Sequence, residues 1–115
     1  MSDQTPGPAL DRHEALSRVG GDIELLREIA LLFMDEFPRA LAEIQGAIEQ
    51  RDALKLENAA HSLKGSVANF GARAAVEAAF RLEQMGRAGE LGEAKEALLA
   101  LRAALAQVSA ELSTL

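Results

Sequence analysis

The sequence of 115 residues has no cysteine, no tryptophan and no tyrosine, and only three prolines. The missing cysteine excludes a disulfide framework and any thiolate-ligated metal. With four phenylalanines as the only aromatics, a core has to be built mainly from Leu, Ile, Val and Ala. Such a core favours helices, because the β-branched and aromatic residues that suit strands are scarce. Basic charge is also in short supply: 12 Lys and Arg stand against 18 Asp and Glu, a net −6. That balance is wrong for neutralising a phosphate backbone, so nucleic acid is not expected as a partner. No apolar run is long enough to span a membrane, and MSDQTPGPAL has neither the basic nor the apolar region of a secretion signal. What is present, 49% hydrophobic residues in a length typical of one domain, is expected to form a single cytoplasmic core.

Residues 1–8, with two prolines and a glycine, read as a flexible tail ahead of a domain over 9–115. A short helix is expected from Ala9 to Arg18, with Leu10 and Leu16 facing inward. Gly20-Gly21-Asp22 then ends one element and starts another, with Asp22 as N-cap. From Ile23 the apolar positions Leu26, Ile29, Ala30, Phe33, Phe37, Leu41, Ile44 and Ile48 follow at spacings of three and four, a long amphipathic helix. Pro38 lies inside it and is expected to kink or split it. Arg51-Asp52 reads as the next turn. A third helix is expected over Ala53 to Asn69, then a tight connection at Asn69-Phe70-Gly71-Ala72. The fourth is expected to run to Met85 and to be ended by Gly86 and Gly89. Leu91, Ala94, Leu98, Leu101, Leu105, Val108 and Leu112 form the inward stripe of a fifth. The fold class is therefore all-α: an antiparallel up-down four-helix bundle with a short additional N-terminal helix.

The third helix carries the chemistry. At about 100° per residue, Leu56, Ala59, Leu63, Val67 and Phe70 gather on one face, and His61 lies almost opposite. Its side of the helix is shared by Leu54, Glu57, Asn58, Lys64, Gly65 and Ala68. A glycine inside a helix costs about 1 kcal/mol relative to alanine, which beside an exposed histidine suggests that a side chain there would obstruct something. Leu54 and Ala68 extend the face as apolar docking surface. On the fourth helix the inward arc is Ala75, Val76, Ala79, Phe80, Leu82 and Gly86, and Glu83 falls within it. If the two helices fold back about the turn, Glu83 comes level with His61. It is then placed to accept the proton of one imidazole nitrogen in a hydrogen bond, fixing the tautomer and leaving the other nitrogen exposed as a nucleophile. Duller readings exist for each residue taken alone. His61 is then a surface histidine, Lys64 a solvated charge, Gly65 a packing glycine, and Glu83 the i+4 partner of Arg87.

The segment Ala60-His61-Ser62-Leu63-Lys64-Gly65-Ser66-Val67-Ala68-Asn69-Phe70-Gly71-Ala72 closely resembles the phosphoacceptor helix of histidine-containing phosphotransfer (HPt) domains. Their signature is His-x-Leu-Lys-Gly-Ser, a small-residue stretch and a Gly turn. The likeness extends to Gly20-Gly21-Asp22, to Phe33, Phe37-Pro38 and Leu41, and to Arg81-Leu82-Glu83. The resemblance implies a phosphorelay carrier that accepts a phosphoryl group on His61 and passes it on. Lys64 would be the cation near the phosphoryl oxygens, Gly65 the gap admitting the partner, and Glu83 the group that orients the imidazole. Leu54, Glu57, Asn58, Gly65 and Ala68 would form the partner surface. It also implies no catalytic activity of the chain's own and no cofactor, with Mg²⁺ and the aspartate supplied by a response-regulator receiver domain. The implied partners are such receivers and a sensor or hybrid histidine kinase, met by a monomer.

Two other classes compete. A di-metal bundle would need paired Glu-x-x-His motifs, whereas Glu57 and His61 stand at i+4 and occur once, and His13 has no obvious second ligand. A pure docking module would present the His61 face without chemistry. The Met1 start favours a free-standing carrier, although a segment of a larger kinase would read the same way.

Overall fold

The computed structural model describes residues 8–115, so residues 1–7 of the expected tail lie outside the described residues. The chain forms five helices, and no strand occurs among the described residues: α1 (Arg12–Arg18), α2 (Ile23–Glu49), α3 (Ala53–Ala68), α4 (Arg73–Ala88) and α5 (Ala94–Leu112). The starts of α1, α2 and α3 are set by side chains that satisfy amides with no intrahelical partner. Asp11, Asp22 and Asp52 accept hydrogen bonds from the amides of Glu14, Leu25 and Lys55. The first helix begins at Arg12, later than expected, because the amides of Ala9 and Leu10 are drawn to the Glu111 carboxylate of α5 instead. Leu10 is nevertheless buried.

The second helix runs unbroken through Pro38 and is not split there. Pro38 sits on the exposed side, where water can take the carbonyl its missing N–H leaves free. The fourth helix also outlasts its expected end. It passes through Gly86 and stops at Gly89, whose φ of 71° is the left-handed cap conformation.

Each of the four longer helices packs on two neighbours: α3 on α2 and α4, and α5 on α4 and α2. The core they enclose includes Ile44, Leu56, Val67, Leu82, Leu101, Leu105 and Val108. Phe70, just past α3, plugs its end, with its ring centroid 5.4 Å from that of Phe33. The leading segment closes the same end. Asp11 donates its amide to the Phe70 carbonyl, and a Cβ on Gly71 would stand only 2.6 Å from the Asp11 Cβ. At a φ of 63°, Gly71 makes a turn that other residues rarely adopt.

Small residues bring α3 and α4 together. Ala60 of α3 and Ala75, Ala79 and Gly86 of α4 are buried, and the separation of two packed helices follows the size of the side chains between them. Among the described residues no helix is long and apolar enough to cross a membrane.

Candidate functional site

His61 stands near the middle of α3 with its side chain 67% exposed. Its Nδ1 lies 2.9 Å from Oε2 of Glu83, which comes from α4 and is almost wholly buried. A carboxylate withdrawn from water needs partners. Glu83 has three. Lys64 Nζ is 2.7 Å from Oε1, an ion-pair contact without the alignment of a good hydrogen bond. Arg87 donates to Oε2 at 3.1 Å, and its Nε donates to Oε2 of Glu57 on α3 at 3.0 Å. Burial alone would raise the Glu83 carboxyl. The close Lys64 ammonium and the His61 hydrogen bond, with the charges they bring, outweigh that and hold it below the ordinary carboxylate range.

The pairs His61–Glu83 and Glu57–Arg87 step in opposite directions along the two helices, so α3 and α4 run antiparallel about the Gly71 turn. That register is what brings a buried carboxylate on α4 level with an exposed imidazole on α3. With an ionised, acceptor-only carboxylate facing Nδ1, the imidazole proton sits on Nδ1 and the Nε2 lone pair is left for chemistry.

The remaining candidates divide. Leu54 is 66% exposed, and Asn58 and Gly65 are exposed on the same side, with nothing within 4 Å of a Cβ built on Gly65. Glu57 and Ala68 are half-buried, and Glu57 is engaged by Arg87. Lys64 does not extend into solvent. Its ammonium is drawn to Glu83 and lies 4.7 Å from the centroid of the Phe80 ring. Phe80, expected in the core, is 39% exposed and serves as the platform for that ammonium. Val76, expected inward as well, is half-buried, and on α3 it is Ala60 rather than Ala59 that is fully buried.

From the sequence Arg87 is a rival to His61 for Glu83, whereas in the structure the carboxylate takes both. The signal was available: Arg87 follows Glu83 by one turn, and the register that pairs Glu83 with His61 also pairs Arg87 with Glu57. His13 is exposed on α1 and takes no part in the site. Among the described residues, no three His, Cys, Asp or Glu side chains gather where a metal ion could be held.

The family model of the Hpt domain matches residues 28–111. Among solved structures, the chain resembles histidine-containing phosphotransfer protein B (HptB) from Pseudomonas aeruginosa PAO1, with a TM-score of 0.87 and 25% identity over 95% of each chain. No curated protein sequence matches it significantly. A family model that spans His61, Lys64 and Glu83 together with the helices that position them places this chain in the Hpt domain family.

Proposed function

We propose that the chain is the histidine phosphocarrier of a two-component phosphorelay, taking a phosphoryl group on Nε2 of His61 from a receiver-domain aspartate or a kinase and delivering it to the aspartate of a response-regulator receiver. The observation that carries this reading is an exposed imidazole whose Nδ1 is held 2.9 Å from a buried carboxylate. An ordinary surface histidine has no such partner. In the acceptance step the Nε2 lone pair forms the N–P bond as the P–O bond to the donor aspartate breaks, and the bonding pair leaves with the carboxylate. Such a transfer depends on positioning and on charge stabilisation.

Lys64 supplies the second part. Its contact with Glu83 leaves it within one turn of the imidazole, from which it turns to the phosphoryl oxygens as charge builds there. Glu83 orients the ring, and Arg87 and Glu57 steady Glu83. Leu54, Asn58, Gly65 and Ala68 form the surface on which the receiver docks, with Mg²⁺ and the acceptor aspartate on the receiver's side. The likeness to the Pseudomonas histidine-containing phosphotransfer protein supports the same reading. We infer further an up-down bundle over 9–115, acting as a cytoplasmic monomer with no catalytic turnover of its own. The packing of α2 to α5 on successive neighbours supports that arrangement.

The test is His61→Gln. Incubated with a phosphorylated receiver, the wild type is expected to become labelled with the acid-labile, alkali-stable behaviour of a phosphoramidate. The variant stays unlabelled with its helicity intact, and His13→Gln behaves as wild type. Label that persists in His61→Gln, or that survives acid, refutes the assignment. A receiver that binds the wild type tightly but never transfers label points to a docking module instead.

A further inference from the structure

The partner of His61 is a glutamate, and a glutamate differs from an amide in a way that matters once the ring is loaded. An ionised carboxylate only accepts hydrogen bonds, whereas an amide turns over and either accepts or donates. Three charged side chains besides the imidazole face Glu83 or its partners: Lys64 and Glu57 from α3 and Arg87 from α4. Lys64 and Arg87 oppose movement of the shared proton onto the carboxyl, since both cations favour its ionised form, and Glu57 is paired with Arg87 and not with Glu83. Arg87 is tied to α3 through Glu57, so Glu83 keeps a cation even when Lys64 turns to the phosphoryl oxygens.

Consider the ring after Nε2 has been phosphorylated. If the Nδ1 proton were lost, a bare nitrogen lone pair would face a buried, ionised oxygen across 2.9 Å, two acceptors with no hydrogen between them. We propose that His61 keeps its Nδ1 proton throughout the cycle, so that the loaded carrier is a phosphoimidazolium paired with Glu83 and therefore a rapidly discharging donor and not a store. The inference rests on the phosphocarrier reading and deepens it.

The bookkeeping of the cycle is simple. On loading, Nε2 forms its bond to phosphorus as the donor's bond to phosphorus breaks and takes its electron pair away, and the ring becomes a cation without exchanging a proton. On discharge an oxygen of the receiver's aspartate, or of water, bonds to phosphorus as the N–P bond breaks, the electron pair returns to Nε2, and a neutral imidazole with its Nδ1 proton leaves. Neither direction waits for a proton to move.

The experiment uses the full chain labelled with ¹⁵N-histidine and charged from a phosphorylated receiver domain or with phosphoramidate. The ¹⁵N shift of Nδ1 reports its protonation in the phosphorylated protein as pH is raised from 6 to 9, with His13 as an internal reference. Wild type is expected to hold the proton well past neutrality. Glu83→Gln should lose it about one to three pH units earlier, the shift typical of removing an adjacent opposite charge. At about pH 8 its phosphoryl group should persist roughly tenfold longer or more in water, following the smaller protonated fraction. A bare Nδ1 in phosphorylated wild type near neutral pH overturns the inference while leaving the carrier reading intact. So does a Glu83→Gln variant with the same titration and the same lifetime. A wild-type chain that takes no phosphoryl group from either donor overturns the carrier reading, and this inference with it.

Discussion

Two glycines lie inside helices beside the same helix–helix contact, and the physics asked of them is opposite. Gly65 is on the outer side of α3, where a Cβ would meet nothing within 4 Å. Gly86 is on the inner side of α4, where a Cβ would stand 2.6 Å from the Glu57 amide nitrogen and 2.7 Å from the Ala53 carbonyl oxygen. Both forgo roughly 1 kcal/mol of helix propensity relative to alanine. At Gly86 the cost is offset inside the protein, because only a hydrogen lets the backbones approach closely enough for His61 to reach Glu83. At Gly65 nothing inside the protein offsets it, so the explanation has to come from outside, from a partner that needs the space beside the imidazole. One glycine builds the site and the other keeps it open.

The comparison breaks most easily at Gly86. Its neighbours are backbone atoms, which cannot swing aside, so Gly86→Ala has to push α3 and α4 apart. The expected loss is at the upper end of what overpacking costs, about 3 kcal/mol, read as a fall in melting temperature of roughly 10 °C. Transfer should fall with it, because the His61–Glu83 distance opens. A Gly86→Ala protein as stable and active as wild type would mean that the close approach has no bearing on the site.

The next effect is at Gly65 and dissociates the two properties. Gly65→Gln should leave the melting temperature unchanged or raised, since glutamine is the better helix former. It should nevertheless slow transfer from a receiver about a hundredfold, the penalty for displacing reacting groups by about 1 Å. Phosphoramidate, a donor small enough to pass the side chain, should load the variant at a rate closer to that of wild type. Melting curves beside transfer rates decide the matter. Unfolding on substitution would put Gly65 in the same class as Gly86, and undiminished transfer would remove the partner from the explanation.

How far these roles could be read from the sequence depended on what kind of fact each one is. The outward side of α3 follows from the 3.6-residue period, and so does the burial of Leu56, Leu63 and Val67. The approach of Glu83 to His61 follows from counting residues on either side of a recognisable turn. A period cannot tell a terminating glycine from a packing one. The sequence marks Gly86 and Gly89 alike as helix ends, yet only Gly89 adopts the left-handed cap, and Gly86 stays helical against α3. Phe80 shows the same limit. Its angle on the helix points toward the core, but it lies at the edge of that arc and is covered by the Lys64 ammonium. The sequence does not mark the start of α1, because Glu111, about a hundred residues away, competes for the Ala9 and Leu10 amides. Periodicity carries direction, while facts that turn on tenths of an ångström or on a distant competitor lie outside it.

The smallest expected effect provides the control for both glycines. Gly46 lies inside α2, which carries no part of the His61–Glu83 site. Like Gly65, it has nothing within 4 Å of a built Cβ and a backbone conformation that any residue can adopt. Unlike Gly65, it has no reactive side chain beside it. If openness and helix propensity are all that matter there, Gly46→Ala should stabilise the protein by about 0.5–1 kcal/mol, a rise of a few degrees in melting temperature. Transfer to and from receivers should be unchanged. Gly65→Ala then gives the sharpest pairing, since the two substitutions add the same methyl group at helical positions where it meets nothing within 4 Å. They should stabilise the protein alike, and only Gly65→Ala should slow transfer, by less than the glutamine variant does. Equal transfer rates for the two alanine variants would confine any partner effect at Gly65 to side chains larger than a methyl. A loss of transfer in Gly46→Ala would instead place part of the receiver's footprint on α2, and the docking surface would then extend beyond the residues that surround His61.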